Sequence, residues 1–100
     1  MKRKLKYHAL ARRDFVELAE WSRKQWGTAQ TRRYLDEIET QLQRLVENPM
    51  LGQDAKLPHP GLRRIAAGRY TIFYRANERT VEIVRILHQQ TDYIGRLGLL

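Results

Sequence analysis

The hydrophobic period changes once along this chain, and the change divides it. Before Asn48-Pro49, apolar residues recur three and four apart; after Gly61 they alternate with others two apart. Between lies "PMLGQDAKLPHPG", which holds all three prolines and two glycines and reads as a surface loop. A 3.6-residue period specifies an amphipathic helix, and a period of two specifies a strand with two distinct faces. Helices that precede a run of strands in a chain of 100 residues predict one α+β layer, with helices on one face of a sheet. Residues 1–100 are therefore expected to form a single domain, large enough to hold one core without metal or disulfide.

The elements follow locally. Lys4 to Ala9 reads as a short strand with Leu5 and Tyr7 on one face. In "ALARRDFVELAEWSRKQWG", Phe15, Leu18, Ala19, Ser22 and Trp26 fall on one helical stripe, and Gly27 is a suitable stop. Thr28 is a candidate N-cap for a second helix with the stripe Tyr34, Leu35, Ile38, Leu42, Leu45 and Val46. Asn48-Pro49 ends that helix, because proline disfavours helical geometry in the residue before it. Helices over 9–26 and 29–47 should pack as an antiparallel hairpin. "LRRIAAG", "RYTIFYRA" and "RTVEIVRILH" are strand candidates, the last two joined by a short turn at Ala76-Asn77-Glu78. The order is β-α-α-β-β-β, with a largely antiparallel sheet.

Simple alternation divides each strand. Tyr70, Ile72 and Tyr74 would face the helices; Arg69, Thr71, Phe73 and Arg75 would face away. In the last strand, Val81, Ile83, Arg85 and Leu87 share one face, and Glu82, Val84, Ile86 and His88 share the other. Helices cover only one sheet face, so Phe73, Ile83 and Leu87 would form an open apolar patch with arginines interleaved. Such a patch on a soluble domain marks an interaction site.

Composition narrows the partner. The formal net charge is +8, and the pI is about 10.3. That balance favours a polyanion: nucleic acid, an acidic membrane surface or an acidic protein. Cysteine is absent, which excludes disulfides, thiolate metal sites and a cysteine nucleophile. The first residues are basic but lack the apolar run of a signal peptide, and no stretch approaches the ~20 apolar residues of a membrane span. A cytoplasmic protein without membrane association is expected.

The ordered set of "WG" closing a first helix, "NP…G" after a second, then "GLRRIAAGRYTIFYR" and "VEIVRILHQQTD", resembles ParE toxins of bacterial type II toxin–antitoxin systems, in the RelE/ParE superfamily. The resemblance spans about residues 5 to 92. It implies a matching fold and a cognate ParD-like antitoxin whose C-terminal segment wraps over the toxin, in complexes that pair through the antitoxin. It implies one of two activities: ParE-like members poison DNA gyrase, whereas RelE-like members are ribosome-dependent mRNA endonucleases.

RNA cleavage needs a base near the 2′-hydroxyl, cations for the phosphate and an acid for the leaving oxygen. RelE-like nucleases typically carry an arginine where this sequence has Thr71 and another where it has Gln89; a C-terminal tyrosine aligns with Gly95, with Tyr93 nearby. His88 is the residue type suited to acid–base work, but alternation places it toward the helices as a packing residue. His8, His59 and His88 lack the spacing of a metal site. The resemblance thus favours the gyrase poison, with no catalytic residue, metal or cofactor, and leaves the endonuclease as the alternative. Candidate antitoxin contacts are Arg69, Thr71, Phe73, Arg75, Ile83, Arg85 and Leu87, with arginines suited to bidentate carboxylate pairing. Trp21 and Trp26 read as packing or surface-edge residues. Tyr93, Ile94, Leu97, Leu99 and Leu100 could cap the sheet edge or join an interface.

Overall fold

A computed structural model describes residues 3–56 and 59–90. The elements are β1 (Lys4–Tyr7), α1 (Ala9–Glu47), a 3-10 turn (Pro49–Leu51), β2 (Gln53–Asp54), β3 (Arg63–Ala67), β4 (Tyr70–Ala76) and β5 (Thr80–His88). The sheet order is β1-β5-β4-β3-β2. β1 runs parallel to β5, and the other pairs are antiparallel. The α+β class expected from the sequence is the one observed; β2 adds a fifth strand within the stretch read as a surface loop.

β1 stops at Tyr7 because His8 begins the helix. Its backbone is extended, and its Nδ1 accepts the Leu10 N–H at 3.1 Å, satisfying one of the donors that a helix start leaves unpaired. α1 is two arms meeting at Gly27, where φ 83 and ψ 174 interrupt the helix. That backbone region is essentially reserved for glycine. The connection is tied by Thr31, not by a cap at Thr28. The Thr31 hydroxyl donates to the Gly27 carbonyl at 2.8 Å and lies 3.0 Å from the Ser22 hydroxyl. Both hydroxyls are buried, so each needs the bond it makes. At the other end, the Asn48 N–H reaches the Arg44 carbonyl at 2.9 Å, and Pro49 stops the helix.

The arms bury the expected stripes. Ile38, Leu42 and Ile72 are 1%, 2% and 0% exposed, joined by Leu18, Leu45, Tyr74 and Ile86 in one cluster. Each such aliphatic side chain contributes about 1.5–3 kcal/mol relative to exposure. Trp26 does not belong to it: the first stripe ends at Ser22, and Trp26 is half-exposed. Tyr34 is only partly buried and accepts the Gln30 side-chain amide at 3.2 Å.

Two features depart from simple alternation. The β4–β5 register shifts between Phe73 and Tyr74: Phe73 pairs with Arg85 but Tyr74 pairs with Ile83, leaving Val84 as the extra residue. Such a bulge changes which residues share a face. Val81 and Ile83 therefore join Ile86 in the helix-side core, and Val84 and Leu87 join Phe73 opposite. The grouping of Ile83 with Leu87 is corrected accordingly.

The second departure concerns the face away from the helices, which is not open. The proline-rich segment folds back over it, β2 pairing with β3 and placing Ala55 and Leu62 on Phe73, Val84 and Leu87. The fold-back is anchored by Tyr74, whose hydroxyl donates to the Pro49 carbonyl at 2.6 Å and accepts the Gly52 N–H at 2.9 Å. Gly52 is required by this close approach, since a Cβ there would sit 2.7 Å from the Arg64 carbonyl oxygen.

Candidate functional site

The expected site residues separate into three groups. Phe73 and Ile83 are fully buried, on opposite sides of the sheet. The chain itself already covers Phe73, so neither supplies an accessible apolar floor. Arg85 is also interior, at 4% exposure. Its Nε and Nη2 donate to the two Asp14 carboxylate oxygens at 2.7 and 2.8 Å. The remaining four, Arg69, Thr71, Arg75 and Leu87, line turns, edges and clefts.

Asp14 was not legible as a functional residue, although a signal existed: it lies four residues before Leu18 on the buried stripe. An acid there requires a partner, because burying a lone carboxylate is prohibitively costly. The partner is Arg85, together with the Ile86 N–H, which donates to Asp14 at 3.0 Å. Bonding to Asp14 pushes the Arg85 guanidinium further above its ordinary value, so Arg85 keeps its charge at any physiological pH. β1 pairs β5 only over Thr80–Ile83, and beyond it the first arm of α1 lies against that side of β5.

There, α1 and β5 border a cleft of about 520 Å³. Leu18, Tyr70, Ile86 and Leu87 form its apolar wall, Trp21 its half-exposed lip, and Glu17, His88 and Gln90 its polar rim. His88 is half-buried, with its ring set edge-on to Tyr70 at 5.6 Å. Its Nδ1 accepts the Gln90 N–H at 3.2 Å. His88 does turn toward the helix side, as expected, while Val84 does not. Burial, with the neighbouring Tyr34, pushes the Tyr70 phenol upward against a smaller opposing effect of Arg69; Tyr70 is therefore a neutral hydroxyl near pH 7 and not a base.

The exposed members sit around the sheet. Arg69 is in the β3–β4 turn, its carbonyl accepting the Gln89 N–H at 2.9 Å. Thr71 is half-buried, opposite Ala66 and Leu87. Arg75 is half-exposed and bonded to Glu82 at 3.1 Å, a surface pair worth about 0.2–1 kcal/mol. Gln89 is exposed just past β5. The tail residues Tyr93, Ile94, Leu97, Leu99 and Leu100, with Gly95, lie outside the described residues.

A helical hairpin over one face of a five-stranded sheet, with the first strand parallel to the last, has solved counterparts among structures of toxin–antitoxin systems. The chain superposes on the structure described as the chromosomal ParDE system of P. aeruginosa with a TM-score of 0.73, at 18% identity over 87% of this chain and 96% of the other. Sequence narrows the class. Residues 5–93 match the family model described as ParE toxin of type II toxin-antitoxin system, parDE. Toxin ParE1 of Mycobacterium tuberculosis is 35% identical over 82% of this chain and 85% of its own length. Toxin ParE1 of Caulobacter vibrioides is 34% identical over 94% and 100%. The chain belongs to the ParE toxin family of type II toxin–antitoxin systems.

Proposed function

We propose that this ParE-type toxin acts in the cytoplasm by binding DNA gyrase and stabilising its cleaved complex with DNA, with no covalent chemistry of its own, and that a ParD-like antitoxin neutralises it. Family membership carries the reading. The geometry supports it against an endonuclease: Arg85 is committed to a buried carboxylate, Arg75 to Glu82, and Thr71 and Gln89 stand where RelE-like nucleases carry arginine. Among the described residues, no helix is long and apolar enough to cross a membrane.

The antitoxin's seat is the cleft between α1 and β5, with Leu87 common to this seat and to the expected one. Trp21, half-exposed at the lip, offers the anchoring surface for an amphipathic segment, backed by the buried Leu18, Ile86 and Leu87 that line the cleft. Arg69, in the turn before Tyr70, lies nearby as a partner for acidic side chains, with Thr71 close to it on β4. Two such complexes would pair through the antitoxin.

The decisive assay is supercoiled DNA, gyrase and purified toxin. Gyrase-dependent linear DNA supports the reading; intact DNA together with arrested translation and cut mRNA would replace it with the endonuclease. For the seat, Trp21→Ala should weaken antitoxin-segment binding by about 2 kcal/mol or more, the range of an interface hot spot. Unchanged binding would place the seat elsewhere.

A further inference from the structure

We infer that the basic rim formed by β1 and the β4–β5 turn is a contact surface for the phosphate backbone of duplex DNA. This goes beyond the action on gyrase and does not depend on it.

The first observation is where the charge lies. α1 carries seven basic and seven acidic residues, so the whole +8 excess lies outside it in the sequence. Much of it gathers at one end. Arg3, Lys4, Lys6, Arg75 and Arg79 gather there with Glu78 and Glu82, and with Glu47 next to Val46, whose carbonyl accepts the Arg3 N–H.

The second observation is that the cations are held on fixed backbone. The Arg3 Nε donates to the Asn77 carbonyl at 2.7 Å, and the Lys4 N–H donates to the Arg79 carbonyl at 2.8 Å. Asn77 organises the turn itself, its Oδ1 accepting the Arg79 and Thr80 N–H groups, both at 2.8 Å. Leu5 and Tyr7 pack on the helix-side core, so Lys4 and Lys6 project from the opposite face of β1. Glu82 is the cross-strand partner of both Lys6 and Arg75. The row Lys6–Glu82–Arg75 crosses three strands, about 10 Å at the ordinary spacing.

The chemistry of the rim selects the ligand. Lysines and arginines on a rigid edge suit phosphate oxygens, which position a protein on DNA without reading sequence. Single-stranded nucleic acid is held by stacking on aromatic side chains. Among the described residues, the rim has no exposed aromatic: Tyr7 is packed inward, and Trp21 and Trp26 are on α1. Duplex backbone, bound without sequence preference, is the polyanion that fits.

The test is fluorescence anisotropy of a labelled duplex of about 20 base pairs, titrated with purified toxin over a range of salt. Lys4→Gln and Lys6→Gln should each lower affinity roughly eightfold at ~0.1 M salt and reduce the salt slope by about 0.9. Arg32→Gln/Arg33→Gln removes two exposed cations from α1 and should leave both unchanged; thermal unfolding of each variant checks that it is folded. Four outcomes overturn the inference: no duplex binding by the parent, an equal loss in the α1 variant, tighter binding of single strand than duplex, or rim variants that weaken antitoxin-segment binding and leave duplex binding intact.

Discussion

Asp14 and Arg85 are 71 positions apart in the chain, yet each is the other's bidentate partner, at 2.7 and 2.8 Å, within the protein interior. The carboxylate also holds the Ile86 N–H, so one side chain joins the first helical arm to the last strand. Breaking a buried pair from one side leaves an uncompensated charge. Asp14→Ala should destabilise the fold by about 3–5 kcal/mol, whereas Asp14→Leu combined with Arg85→Met should recover most of that loss. Urea unfolding of the single and double variants measures both.

Phe73 behaves as a core residue. It is fully buried among Ala55, Leu62, Val84 and Leu87, so Phe73→Ala should cost about 3–5 kcal/mol of stability. Any loss of antitoxin affinity should follow from the lost fold. A variant that melts with the parent while binding the antitoxin poorly would return Phe73 to the interface.

The bend in α1 isolates a backbone effect. Nothing lies within 4 Å of a Cβ built on Gly27, so alanine there meets no steric obstacle beyond its own φ of 83. Gly27→Ala should therefore cost about 1–3 kcal/mol from backbone strain alone. Gly27→Asn should cost about as much as alanine, because asparagine's tolerance of positive φ is confined to the left-handed helical region and does not extend to ψ 174. Thermal unfolding of the two variants compares them.

Alkaline stability should be limited by two phenols. Burial pushes both Tyr7 and Tyr70 above the ordinary value of 10.0, with the Glu39 carboxylate adding to Tyr7 and Tyr34 to Tyr70. In that range the folded protein keeps protons that the unfolded chain releases, so stability falls as pH rises. The contribution is complete below pH 10.0 and lost as pH passes through the folded-state values. Urea midpoints taken on either side of that value should drop for the parent. Tyr70→Phe should show a shallower decline; an identical decline would mean Tyr70 titrates alike in both states.

The helical half was legible because its information is local. Ile38 and Leu42 are four apart and buried together, and Gly27 and Pro49 mark their boundaries with their own stereochemistry. The helix-facing side of β4 was legible for the same reason. The bulge was not: it depends on one extra residue in β5 relative to β4, and alternation within either strand carries no trace of that count. Its consequences propagated, misplacing Ile83 and hiding the Arg85–Asp14 pair. The cover over Phe73 was also hidden, because two small or isolated apolar residues, Ala55 and Leu62, set in a proline-rich stretch give no periodic signal.

The pairing of Lys4 with Thr80, and of Tyr7 with Ile83, has a temporal side. β1 leaves the ribosome first, but the strand that accepts it is made last, after both helical arms and every other strand of the sheet. At ~5–20 residues per second, several seconds separate the synthesis of the two partners. During that interval, the apolar stripes of α1 have no sheet to rest on, and the strand edges stand open. A chain interrupted before Ile83 lacks the partner of Tyr7 and cannot close the sheet, so the pairing that completes the fold waits for the last strand.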